Sequence, residues 1–370
     1  MFNKIFFTWY NYNGDKMNKG KKILLLILLL LIVGCGKKNN KDEEKENVEK
    51  VNYEKAKLNV NTSLDDEIKE NTIWCGTFNL VWNVLKEEYV GGDVIVNVPS
   101  AQVDNLNKST FTKKNLDDNS FYVTYGKQTP ALKSEIEKAI KEKFNQTSDI
   151  LNEFQWKEDT TDDFMYAMLY KKFKFENKFK KLKNTTFNDE GDYEYFGIDS
   201  ENKSKSQVKA LYYNNEKENA IKILSDGNDE VILVKGIEGK SFIEIYNNLL
   251  EKEKNYEGNK SLTDADSILV PIINFNTFEE FASLEGLEFT YKNGEERKIA
   301  KAVQTIKLNL TEEGGEIRSE AGISTTKNSV AISDVRTFNY NSTFVLFLKE
   351  KDSELPYFAA YISDLSEFQK

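Results

Sequence analysis

The side chains able to do chemistry in this sequence are few and poorly matched for catalysis. The chain has no histidine, which removes Ser-His-Asp and Cys-His arrangements, His-containing zinc sites and the usual neutral-pH general base. Its two cysteines, Cys35 and Cys75, sit in unrelated contexts and are not expected to pair. Cys75, in TIWCGTFNL, lies among aromatic residues and reads as a buried structural thiol. The run Ser225 to Glu230, SDGNDE, has calcium-ligand residue types without EF-hand spacing and reads as a hairpin turn. Asp162 and Asp163 read as an element boundary and not as an acid-base pair. No phosphate loop, metal set or cofactor motif is found, so catalytic residues, metal and cofactor are all expected to be absent and the chain is not read as an enzyme.

A different chemistry is suggested at 308–325, LNLTEEGGEIRSEAGIST, where an alternating apolar run passes into acids and two glycines. Counted from Gly315, one face carries Gly315, Ile317, Ser319 and Ala321, and the other carries Glu316, Arg318 and Glu320. All the charges share one face, so the segment could enter a sheet as a strand without burying an unpaired ion.

Elements must position that segment. Lys19, Lys21 and Lys22 precede the apolar run 23–33, which is short for a membrane span and reads as a signal peptide. Its end, IVGC, resembles the bacterial lipobox, and the resemblance implies that Cys35 is diacylated and becomes the new N-terminus. Each buried methylene would add about 0.8 kcal/mol of membrane affinity. Residues 1–34 are thus expected to be an N-terminal extension and leader, the stretch before Met17 reflecting an upstream start. Residues 35–60 form the lipidated cysteine and a charged tether, and 61–370 form the folded domain, with its first element near Leu64. The formal net charge of −10 argues against a nucleic-acid partner.

Within the domain, Trp74, Phe78, Trp82, Leu85 and Tyr89 predict an amphipathic helix stopped by Gly91 and Gly92. DVIVNVPSAQV, from Asp93, predicts a strand before Pro99. Thr129 and Pro130 open a helix with Leu132, Ile136 and Ile140 on one side. Strands are predicted at FMYAMLYKKFKF, KALYYN, AIKILS, EVILVK and SILVPIINF, a helix through Phe242, Ile245 and Leu249, and a shorter helix in TFEEFASLEGLEF. Ile306, Leu308 and Leu310 predict a further strand, and FVLFLKE with YFAAYIS predicts a hairpin turning at Asp352 and Ser353. Between Leu310 and Phe338 no core pattern is visible over a length that marks functional or disordered loops.

The order of these parts resembles the serpin family: AVQTIKLNL as a central-sheet strand, TEEGGEIRSEAG as the hinge, ISTTKNSVAISDVRT as the reactive loop, and a buried C-terminal hairpin. AMLYKKFKFENKF is similar to the family's central strand, with Phe175 where tryptophan is usual. DSILVPIINFNTFEEFASLEGL and TFNLVWNVL are similar to a further strand and to the first helix. The resemblance implies an α+β fold with a large, mainly antiparallel central sheet, packed helices, a second sheet and an exposed reactive loop before the C-terminal hairpin. The stretch between Phe144 and Phe164 is short for the family.

What the resemblance implies for function is inhibition of a serine or cysteine protease, by cleavage of the loop and insertion of its hinge side into the sheet. The alternative is a non-inhibitory serpin-fold lipoprotein that binds a surface or host partner. The hinge is expected at Glu312, Glu313, Gly314, Gly315, Glu316, Ile317, Ser319 and Ala321. Ile317, Arg318 and Glu320 stand where inhibitory members usually carry small residues. Family spacing counted from Glu312 places the scissile bond near Asn328, with Lys327, Asn328 and Ser329 as reactive-centre candidates. Lys327 would suit a trypsin-like protease and Asn328 an asparaginyl specificity. The protein is expected to be a monomer held by its lipid on the outer face of a bacterial cytoplasmic membrane.

Overall fold

A computed structural model describes residues 56–199, 203–316 and 335–369, all within the unit Tyr53–Lys370. Strands are numbered along the chain. The largest sheet has seven strands in the order β1 (Asn59–Asn61), β2 (Thr72–Cys75), β21 (Pro356–Ile362), β20 (Phe344–Glu350), β12 (Asp229–Lys235), β11 (Glu218–Leu224) and β10 (Val208–Asn215). Every neighbouring pair is antiparallel except β1 with β2. β12 and β20 are buried along their whole length, which is why their sequences read as near-continuous apolar runs. The predicted C-terminal hairpin is β20 with β21.

A second sheet orders β19 (Thr337–Asn339), β13 (Ser267–Pro271), β9 (Tyr195–Ile198) and β6 (Lys180–Lys181). A third orders β14 (Ile273–Glu280), β17 (Val303–Thr311), β18 (Gly314–Gly315) and β5 (Phe173–Lys174). Three antiparallel pairs stand apart: β3 (Phe121–Lys127) with β4 (Asp163–Leu169), β7 (Thr185–Phe187) with β8 (Glu190–Tyr193), and β15 (Glu288–Thr290) with β16 (Glu296–Lys298).

Four α-helices pack on these sheets among the described residues: α1 (Thr77–Val84), α2 (Ala101–Asn107), α3 (Pro130–Phe144) and α4 (Phe242–Asn255). α3 begins as predicted, with the Thr129 side chain accepting the Leu132 N–H and Pro130 at the first helical position. Its buried face of Leu132, Ile136, Ile140 and Phe144 covers Phe164 and Tyr166 of β4, making a core cluster of its own. α4 seats Phe242 and Tyr246 against Phe347 of β20.

Four expectations are corrected. The helix predicted from Trp74 starts at Thr77. Trp74 belongs to β2, opposite Ala359, with its indole N–H on Asn79 Oδ1 at 3.0 Å and its ring edge-on to Phe111. The helical spacing held by coincidence across a strand end, and the helix itself runs into a π-helical stretch, Leu85–Val90, that stops at Gly91. The strand expected from Asp93 is an irregular segment. The Asn107 side chain takes both backbone groups of Val94, at 3.1 and 2.9 Å, while Ile95 is 81% exposed. TFEEFASLEGLEF forms no helix, because β14 stays paired with β17 through Glu280 and then turns. Finally, the fold starts before residue 61. Ala56 and Leu58 are buried, the Ala56 N–H bonds Asn276 O at 3.1 Å, and β1 precedes Leu64. So short an alternation among lysines and asparagines is indistinguishable from tether.

Candidate functional site: the hinge and the slot beside it

The acid-glycine segment is neither a solvated turn nor a free hinge. After β17 the chain reverses, with Thr311 Oγ1 accepting the Glu313 N–H at 3.3 Å, and Gly314–Gly315 enters the sheet as β18. β18 is paired antiparallel on both sides: Gly315 lies opposite Leu310 and Phe173, and Gly314 opposite Thr311 and Lys174. Both positions require glycine. Gly314 has φ of 135°, and a Cβ there would stand 2.4 Å from Phe173 O; a Cβ on Gly315 would stand 2.6 Å from the Phe173 ring.

Lysines and backbone donors fix the acids. The carbonyls of Glu312 and Glu313 accept the N–H groups of Phe179 and Phe175, each at 2.9 Å. Glu312 is buried, with Lys178 at 3.4 Å and Lys181 at 3.9 Å. Glu313 is exposed and pairs with Lys178, whose hydrogen bond and charge hold its carboxyl below the usual range. Glu316 continues the strand direction: its N–H bonds Asn309 O at 3.1 Å and its carboxylate lies 3.3 Å from Lys172. Phe175 packs edge-on to Phe179 at 4.9 Å beneath this turn.

Below β18 the sheet is divided. β4 is hydrogen-bonded to β3, and β17 to β14, but no strand pairing joins β4 to β17 among the described residues. A cavity of about 960 Å³ lies between them, edged by Met165, Ala167 and Leu169 on one side and Gln304, Ile306 and Leu308 on the other. These residues face the core: Met165 packs against the cluster that contains Phe78 and Trp82, and Ala167, Leu169, Ile306 and Leu308 join the main cluster. Gln304 is 5% exposed. Its Nε2 donates to Thr77 Oγ1 at 2.7 Å and to Cys75 O at 3.1 Å, while its Oε1 has no hydrogen-bond partner. Cys75 also borders the cavity, and burial pushes its thiol pKa up.

The far end of the loop is anchored as well. Arg336 is buried, with Nη2 2.7 Å from Asp266 Oδ2 and 2.8 Å from Ser261 O, and its own N–H 2.9 Å from Asp266 Oδ1. Burial opposes charge on Asp266, yet these hydrogen bonds hold its carboxyl below the usual range. β19 follows at once, parallel to β13.

Of the expected site residues, Glu312 to Glu316 are thus brought together in one strand start. Ile317, Ser319, Ala321, Lys327, Asn328, Ser329 and Cys35 lie outside the described residues. Sequence reading missed Phe173, Gln304, Arg336 and a buried lysine, Lys171. None of them carries a local signal, because their partners come from distant strands.

No family model matches the sequence, and no curated protein matches it. Solved structures do resemble it. Serpin 12 of Manduca sexta is 12% identical, with 80% of this chain and 94% of that chain covered at a TM-score of 0.47. Human thyroxine-binding globulin complexed with thyroxine is 11% identical, with 79% and 91% covered at 0.45. A highly specific serpin of the insect Tenebrio molitor is 11% identical, with 81% and 93% covered at 0.43. The chain's own topology is α+β, with β17, the Gly314–Gly315 strand and a buried C-terminal hairpin following one another in that order.

Proposed function

We propose that this protein is a serpin-like inhibitor of a serine or cysteine protease, acting by cleavage of the loop after residue 316 and insertion of its hinge side between β4 and β17. The observation that carries this reading is β18: two residues already paired on both sides, directly above a cavity bordered by the two strand edges that a longer β18 would join.

Register supports it. Extending the pairing of Gly315 with Leu310 brings Ile317 opposite Leu308, Ser319 opposite Ile306 and Ala321 opposite Gln304, all on the core face of β17. Glu316, Arg318 and Glu320 fall opposite Asn309, Lys307 and Thr305 on the other face. Arg318 then opposes Lys307, with Glu316 and Glu320 on the diagonals to offset the like charges. Lys327, Asn328 and Ser329 span the reactive centre. Residues 1–34 are an N-terminal extension and leader, Cys35 carries the lipid, and the charged tether holds a monomeric domain outside the membrane. No cofactor or catalytic residue takes part.

The test is incubation with a panel of trypsin-like, asparaginyl and other serine and cysteine proteases, followed by a denaturing gel and a thermal melt. A covalent complex that survives SDS, together with a sharply raised melting temperature of the loop-cleaved protein, is the expected result. Cleavage with neither complex nor stabilisation overturns the proposal.

A further inference from the structure

Three buried side-chain atoms have no hydrogen-bond partner among the described residues, and two of them, Gln304 Oε1 and Arg297 Nε, belong to residues that line the slot between β4 and β17. Gln304 cannot satisfy its oxygen by turning over. Its Nε2 donates to Cys75 O, which can only accept, and to Thr77 Oγ1, so exchanging the two ends of the amide would set acceptor against acceptor. Arg297 is fixed as well: Nη1 lies 3.3 Å from Thr161 O, Nη2 pairs with Glu295, and the guanidinium stands 5.1 Å from the centre of the Tyr291 ring. Asp163, which also lines this end, is engaged by Lys127 at 2.8 Å and by the Tyr291 hydroxyl at 3.2 Å. A buried acceptor and a buried cationic donor without partners each cost free energy that a suitable ligand would recover.

The order of these groups along the slot sets the shape of that ligand. Arg297 is held by Thr161, just before β4 begins at Asp163; Gln304 lies near the start of β17, and Ile306 and Leu308 continue from it on the same face. Phe78, Trp82 and Met165 complete the apolar walls. From Gln304 to Leu308 the slot follows β17 for about 13 Å. Beyond the end of β4, Lys171 pairs with Asp229 and lies 2.8 Å from Glu350 Oε1, so the charge at that end is already answered. The site therefore calls for an oxygen acceptor at one tip, a donor part-way along and an alkyl body beyond, and its 960 Å³ suits a small molecule of that kind.

We propose that the slot is a binding site for a hydroxylated fatty acid: the carboxylate accepts from Arg297 Nε, the hydroxyl donates to Gln304 Oε1, and the tail lies between β4 and β17. A compact polar ligand would leave the apolar walls uncovered, and a plain hydrocarbon would leave both polar atoms unpaired. The site belongs to the uncleaved chain and does not depend on insertion of the loop.

The test titrates the uncleaved protein calorimetrically with three probes, each kept below the concentration at which it forms micelles. Ricinoleate carries a hydroxyl part-way along its chain, oleate is the same chain without it, and methyl ricinoleate keeps the hydroxyl but loses the charge. Ricinoleate is expected to bind saturably, and each of the other two about tenfold more weakly for want of one buried hydrogen bond. Gln304→Met should abolish the preference for ricinoleate over oleate while oleate binds as before, and Arg297→Met should abolish the preference for the acid over its ester. Ala167→Phe, which fills the slot from the β4 side, should prevent binding of all three, with melting temperatures to confirm that each variant folds. Equal affinity of the native protein for ricinoleate and either other probe overturns the proposal, as does the absence of saturable binding. Undiminished binding to folded Ala167→Phe places the lipid elsewhere and overturns it too. Where a variant does not fold, the comparison of probes on the native protein still decides.

Discussion

Gly314 and Gly315 are glycines for separate reasons, one backbone and one steric. At Gly314 the backbone conformation itself excludes a side chain. Gly314→Ala is expected to lower stability by about 1–3 kcal/mol in chemical denaturation, whereas Glu313→Gln, on an exposed group, leaves the midpoint unchanged. Cys75 gives a second residue-scale expectation. Buried and with its thiol pKa pushed up, it should resist maleimide in the native protein and react on unfolding, with peptide mapping to separate it from Cys35. Rapid native labelling at Cys75 contradicts its burial. Of the alternation read in the sequence, only Gly315 and Glu316 lie among the described residues, the first buried and the second exposed. Sequence reading missed the ring of Phe173 that fills the space above Gly315. It also had no means of telling Lys171 from Lys172 in LYKKF, since Asp229 and Glu350 reach Lys171 only through the folding of β12 and β20 around it.

Elements were legible where one signal dominated. Thr129 and Pro130 marked α3, the spacing of Phe242, Ile245 and Leu249 marked α4, and the unbroken apolar runs marked β12 and β20. They were misread where two elements abut, as at Trp74, or where a side chain captured a strand-like backbone, as Asn107 does with Val94. The slot was not legible, because it lies between strands widely separated in sequence. Its strand edges make a prediction at this scale: a synthetic peptide with the sequence of residues 315–327 is expected to bind there and to slow amide exchange on β4 and β17 together. Protection of only one edge, or of neither, would show that the cavity does not accept a strand.

Across the whole molecule, the distal end of the loop is fastened more firmly than the hinge, since Arg336 and Asp266 form a buried, multiply bonded pair. The folded pKa of Asp266 is depressed, so its contribution is complete above the unfolded value of about 3.9 and is lost as pH falls through the folded value. The melting temperature should fall along that acid limb, and Asp266→Asn should flatten the limb while lowering the neutral plateau. An unaltered acid limb in the variant assigns acid sensitivity to other carboxylates. On the proposed insertion, fastening at Arg336 would leave the β18 side as the one to change, and β18 would give that change a direction. Starting a strand is entropically the hardest step, because chain must be fixed before contacts repay it. Here the first two residues are already in place, so the proposed insertion would extend as a zipper from an existing nucleus. It has one starting register, and a slip of a single residue, which would turn Glu316 and Arg318 toward the core, would first require Gly314 and Gly315 to unpair on both sides.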